Sequence, residues 1–306
     1  MQDSSFLPKD RLHKTSYTLS SKVTTVGGFV DKVLKLQSDG KEIFYRGHSN
    51  KRRYKLEPSL FRKDEHGNYL YLHNEHVLYR ELLVSNSADF TSDSYTLDRL
   101  VRMQHYSLPT RLLDITSNPL IALYFACKSS IGKLEDGRHV GEEEGEVIVF
   151  TLEQAQIKYF DSDTASCVAN LARLPKSEKD QIDQSINAVT VFNEQPAIKR
   201  LIHFVREEKS FFEPRVQPEH LRTIVCVKGK RSNNRISSQS GAFLLFGLDA
   251  VLDEKGTPEI GLSRISVTSK ATILEQLDLL NINESTVFPY IENSAKYVAN
   301  KYSFKG

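Results

Sequence analysis

Gln104-His105-Tyr106-Ser107-Leu108-Pro109-Thr110-Arg111-Leu112-Leu113-Asp114-Ile115-Thr116-Ser117-Asn118-Pro119, running on into Leu120-Ile121-Ala122-Leu123-Tyr124-Phe125-Ala126, is the stretch on which the reading of this chain turns. A His, an Arg, an Asp and a Thr-Ser-Asn run sit among Leu and Ile between two prolines. Unpaired buried charge is costly, so these groups must pair with each other, with the backbone or with a ligand. Asn118 suits an N-cap and Pro119 a first helical position, which predicts a helix over 119–130. That helix is apolar nearly all round and is expected to be buried. The residues before it read as a central loop that carries a site, with Leu112, Leu113, Leu120 and Leu123 as core.

Working outward, Phe29, Val30, Val33, Leu34 and Leu36 recur at helical spacing within 25–37, and 74–90 and 96–105 read as two amphipathic helices. Lys41 to Arg46, Gly145 to Phe150, Thr223 to Val227 and Ala242 to Phe246 read as strands. Asp161-Ser162-Asp163 caps a short helix before 174, and 132–145 reads as an acidic surface loop. The tail offers a strand near 263–269, a helix near 271–281 and a Pro289-led helix to about 302. The strands are too irregularly spaced for βαβ units. The expectation is an α+β fold, with a mixed, mostly antiparallel sheet flanked by buried and amphipathic helices. Residues 1–24 are expected to form a loose polar arm, 25–250 the main domain, and 251–306 an extension packed on it.

Composition excludes several classes. A chain of 306 residues with 41 basic and 39 acidic side chains has no global nucleic-acid signature. Local excess is another matter: residues 1–63 carry 14 Lys/Arg against 6 Asp/Glu, and 199–235 carry 10 against 4, so nucleic acid remains a candidate partner there. Cys127, Cys167 and Cys226 are odd in number and lack CxxC spacing, which argues for reduced, buried thiols rather than disulfides or zinc. No apolar run reaches membrane-spanning length and no leader pattern opens the chain, so a soluble cytoplasmic protein is expected. No carboxylate pair or His cluster at ligand spacing predicts a metal site.

Three segments then carry a resemblance. Phe44-Tyr45-Arg46-Gly47 looks like the signature of the FRG-domain family. The stretch from Gln104-His105-Tyr106 to Phe125-Ala126 resembles that family's central motif, and Arg235-Ile236 to Gln239-Ser240-Gly241-Ala242-Phe243 its C-terminal one. Ile115 stands where an aromatic is expected, and Ser107 where Gly is usual. The same segments are similar, over shorter motifs, to arginine-type ADP-ribosyltransferases. That similarity implies that Arg46 holds an NAD phosphate, with Thr116, Ser117 and Asn118 bracing the pocket. The third motif of those enzymes carries a catalytic Glu, whereas Ser238-Gln239-Ser240-Gly241 has none. Gln239 can bond a ribose but cannot supply negative charge to a developing cation, a task that would pass to His105 or Asp114.

Three readings stay open. In the first, the chain binds or cleaves a nucleotide such as NAD as substrate, with His105, Asp114 and Gln239 catalytic and Arg46, Arg111, Thr116, Ser117, Asn118 and Arg235 binding the ligand. In the second it is a metal-independent nuclease or phosphoester hydrolase, with His105 as base and Arg46 and Arg111 on the phosphate. In the third it is a non-catalytic module that contacts nucleic acid or a protein partner.

Overall fold

The computed structural model describes residues 22–36, 40–128, 131–133, 139–230 and 241–289. Its strands are β1 (Glu42–His48), β2 (Leu112–Thr116), β3 (Ile131–Lys133), β4 (His139–Glu142), β5 (Gly145–Leu152), β6 (Ile157–Tyr159), β7 (Ile224–Lys228), β8 (Gly241–Phe246) and β9 (Ile260–Val267). Seven of them form one sheet in the order β6-β7-β8-β2-β1-β5-β9, and β3 and β4 make a separate hairpin. Every neighbouring pair in the large sheet is antiparallel except β6 with β7. The fold is α+β, as the sequence predicts.

Alternation along the central strands sorts the core into faces. Leu113, Ile115, Leu244, Phe246 and Phe44 point into one cluster, covered by the loops around Leu56–Leu72 and Ala250–Leu252. The opposite face is covered by two separate groups of helices. Thr96–His105, Asp163–Asn170 and Pro196–Glu208 pack over β7, β8 and β2. Val26–Leu34, Pro119–Cys127 and Lys270–Leu279 pack over β1, β5 and β9. The seam between these groups lies above β1 and β2.

Helix Pro119–Cys127 starts as read: the Asn118 side chain accepts from the Leu120 N–H at 3.0 Å, with Pro119 at the first position. Two glycines let it lie directly on the sheet. A Cβ on Gly47 would stand 2.0 Å from the Ala122 carbonyl oxygen, and one on Gly145 2.2 Å from that of Ala126. Helix Thr96–His105 ends in a Schellman turn: Ser107 N–H donates to the Gln104 carbonyl and Leu108 N–H to that of Met103. This places Ser107 in the left-handed region, at φ 66°.

Several expectations need correction. The stretch read as a central loop contains β2, the middle strand of the sheet. Leu112, Leu113 and Leu123 are core, whereas Leu120 is only half-buried against it. Part of the acidic segment 132–145 is hairpin rather than loop. Val23, placed in the arm, is buried and bridged to Val267; the rest of that arm up to residue 21, and the Pro289-led helix from residue 290 on, lie outside the described residues. The strand read near 263–269 is β9, paired along its length with β5 at the sheet's edge.

Candidate functional site

β1 pairs with β5 along its whole length, but with β2 only at Tyr45 and Thr116. Beyond that pair the strands splay, and the gap opens into a cleft at the seam between the helical groups. Its floor is Tyr45, Arg46 and Gly47 of β1 with Asp114 and Thr116 of β2. Val101, Gln104 and His105 form one wall, Ile121, Ala122 and Phe125 the other, and β8 adds Phe243.

Arg46 fills the splay. Its Nη1 donates to the Asp114 main-chain carbonyl at 2.8 Å, where a strand-to-strand bond would otherwise run, and its Nε donates to His48 Nε2 at 3.1 Å. That second bond fixes the histidine's tautomer. Since Nε2 accepts, Nδ1 carries the proton and donates to Glu146 Oε1 at 3.2 Å. Glu146 in turn accepts from Arg264 Nη1 at 2.7 Å. Burial lowers the His48 pKa, the nearby Arg46 and Arg264 add to that fall, and the Glu146 bond opposes it. The imidazole is therefore neutral at pH 7 and serves Arg46 as an acceptor. Desolvation also lowers the Arg46 pKa, against the pull of Asp114 and with a further push from Arg62. Arg46 remains a cation regardless. Among the described residues it makes no ion pair.

Asp114 is exposed on the cleft floor, and among the described residues its carboxylate takes no ion pair or hydrogen bond. Thr116 is buried in the floor, with its hydroxyl accepting from the Asn118 N–H at 3.0 Å. Asn118 is occupied as the helix cap, and Ser117 between them is exposed. His105, the last residue of its helix, lines the cleft half-buried, with its ring edge-on to Tyr106 at 5.1 Å. Arg235 and Gln239 lie outside the described residues.

Arg111 is placed differently from its reading as a phosphate ligand. It is fully buried just before β2, on the face opposite Asp114, and does not line the cleft. Its Nε and Nη2 grip Glu75 at 2.7 and 2.5 Å, and its Nη1 donates to the carbonyls of Phe246 and Gly247. Lys179 joins the same carboxylate at 2.5 Å. Burial pushes the Glu75 carboxyl up, but the two cations outweigh it and hold its pKa at about 2. The acid that balances Arg111 is thus Glu75, far away in sequence, and Asp114 is left for the cleft.

His48 and Glu146 are the site residues that sequence reasoning missed. A usable signal existed: His48 shares its strand face with Phe44 and Arg46, and Glu146 is the one acid at the head of the apolar run Val147–Phe150. The basic segment after residue 199 is mostly paired. Among the described residues Lys199, Arg200, Lys209, Arg215, Lys228 and Lys230 each meet a carboxylate. Cys127, Cys167 and Cys226 are buried and form no disulfide with one another. Among the described residues no helix is long and apolar enough to cross a membrane, and no group of three His, Cys, Asp or Glu could hold a metal.

Residues 41–133 match the family model of the FRG domain, a span that holds β1, β2, helix Pro119–Cys127 and both halves of the Arg46–Asp114 contact. No curated protein and no solved structure matches the chain.

Proposed function

We propose that this FRG-domain chain binds a phosphate-bearing nucleotide, such as NAD, in the β1–β2 cleft. The observation that carries this reading is the state of Arg46. Neutral acceptors, the His48 ring and the Asp114 carbonyl, hold its guanidinium on the cleft floor, and among the described residues no carboxylate pairs with it, Asp114 attracting it only from a distance. A desolvated cation aimed in this way suits an anionic group, which it would engage through charge-assisted hydrogen bonds. Phe125, Phe243 and Ile121 supply apolar surface for a flat base. Asp114 and Thr116 supply acceptors for ribose hydroxyls. In a cleavage reaction at the ribose, positive charge develops on the sugar ring. Asp114, the carboxylate of the cleft floor, would stabilise it, with His105 at the rim as proton carrier. The phosphoester-hydrolase alternative needs Arg111 on the same phosphate, and the Arg111 donors are engaged with Glu75 and two carbonyls.

Titration calorimetry with NAD, paired with an assay for nicotinamide release, tests the reading. The wild type is expected to bind, and Arg46→Ala to lose roughly 1.5–3 kcal/mol of affinity, the range for hydrogen bonds to a charged group. Binding without release makes the protein a nucleotide-binding module. Absence of binding to NAD and to simpler adenine nucleotides would end the proposal.

A further inference from the structure

Behind Arg46 the cleft adjoins a second cavity. Arg46, Gln104 and Asp114 line both, and the second adds Glu57, Ser59 and Arg62. Arg62 follows the short turn Ser59–Phe61, with its side chain exposed. Among the described residues its guanidinium makes no ion pair and no hydrogen bond. Arg46 likewise makes no ion pair among the described residues; burial lowers its pKa, the nearby Asp114 carboxylate opposes that, and the Arg62 cation adds a smaller push downward. Among the described residues Arg46 Nη2 and the Arg62 guanidinium make no hydrogen bond, so both keep donors that an anion in this small cavity would take.

We propose that Arg62 is a second anion-binding residue of this site, so that the nucleotide it takes carries a diphosphate, with one phosphate on Arg46 and the next on Arg62. The inference rests on the nucleotide reading above and narrows it. Glu57 and Asp114 match the two arginines in charge, so the cavity is no general sink for anions. It sets hydroxyl acceptors beside phosphate donors, as acidic residues do when they hold a ribose beside a pyrophosphate. A nucleoside diphosphate fits that pattern, and a bare inorganic anion does not.

Calorimetric titration of the wild type, Arg62→Ala and Arg46→Ala with AMP, ADP and NAD tests this. The wild type is expected to bind ADP and NAD at least about tenfold more tightly than AMP, one tenfold step being about 1.4 kcal/mol. Arg62→Ala, which removes an exposed side chain with no ion pair or hydrogen bond among the described residues, is expected to keep its melting temperature and AMP affinity and to lose the diphosphate preference. Arg46→Ala weakens all three ligands. A wild type without the preference, or an Arg62→Ala protein that retains it, overturns the diphosphate assignment and leaves the nucleotide reading standing. A wild type that binds none of the three overturns both.

Discussion

Arg46 and Arg111 both lie at β2, one donating to the backbone of its middle residue and the other standing just before its first, yet their surroundings differ in every respect that matters to function. Arg111 is fully buried, and its fork closes on the Glu75 carboxylate, shared with Lys179. Arg46 is half-buried and held by a neutral ring and a carbonyl oxygen. A charge neutralised where it stands has a structural use, because removing either partner strands the other in the core. A charge fixed in direction that makes no ion pair among the described residues has electrostatic free energy still to gain, which an incoming anion supplies. The gap where β1 and β2 part leaves Arg46 half-buried between two cavities, while Arg111 is closed into the core.

The contrast is broken most severely at Glu75. Glu75→Ala leaves Arg111 and Lys179 buried without a carboxylate, at an expected cost of about 3–5 kcal/mol in urea unfolding. The depressed pKa also fixes a direction in pH. In the unfolded chain Glu75 titrates near the ordinary carboxyl value of 4.5, and in the folded protein at about 2. Its contribution is therefore complete above pH 4.5 and lost as the pH falls towards 2. Glu75→Gln is expected to flatten the acid limb of the stability curve in that window. A Glu75→Ala protein that unfolds at the wild-type urea concentration would show that the knot does not hold the fold, and the comparison would fail on its structural side.

The second test sharpens the functional side through His48, a positioning residue for Arg46. His48→Leu removes the acceptor at Nε2, while Arg264 still neutralises Glu146. Affinity for NAD should fall by about one neutral hydrogen bond, roughly 0.5–1.5 kcal/mol, as the guanidinium loses its fixed aim. His48→Gln, whose amide can both accept from Arg46 and donate to Glu146, should restore most of it. Equal affinity in His48→Leu and wild type, by calorimetry, would mean that Arg46 needs no such support. Rescue by Gln but not by Leu is the pattern that a merely space-filling histidine cannot produce.

How much of this was legible in the sequence follows from the range of each interaction. The cap Asn118, the first-turn Pro119 and the apolar run after them act within a few residues, and the helix they announce is present. The meeting of Tyr45-Arg46 with the Asp114–Thr116 segment was also foreseeable, because charges embedded in apolar sequence must find partners. Which partner each arginine finds was not. Glu75 lies 36 residues from Arg111, and Lys179 lies 104 from Glu75, distances that no local pattern encodes. β2 itself was hidden because Asp114 and Thr116 face the cleft and interrupt the apolar alternation that marks a strand. Helix Pro196–Glu208 went unread because its solvent-facing Lys199, Arg200 and Arg206 suggested a basic patch, although Ala197, Ile198, Leu201, Ile202 and Val205 have helical spacing and are buried.

The smallest effect lies at the turn that joins the cleft wall to β2. Ser107 stands where the family resemblance expects Gly, and the structure gives the reason for that preference: the Schellman turn holds this position at φ 66°, which disfavours any side chain. A non-glycine residue in the left-handed region costs on the order of 1–2 kcal/mol, and Gly gives part of that back through the greater entropy of its unfolded chain. Ser107→Gly is therefore expected to stabilise the protein by up to about 1 kcal/mol, read as a small rise in the urea midpoint at unchanged slope. Because the turn closes on main-chain bonds to Gln104 and Met103, the substitution leaves Gln104, His105 and the Arg46–Asp114 contact in place. Ser107 also lines the cavity that holds Arg62, so NAD affinity should fall by no more than one neutral hydrogen bond, about 0.5–1.5 kcal/mol. A stability gain accompanied by a larger loss of affinity would instead tie the cleft wall to the strain in this turn, and the boundary drawn between the structural and the ligand-facing ends of β2 would have to move.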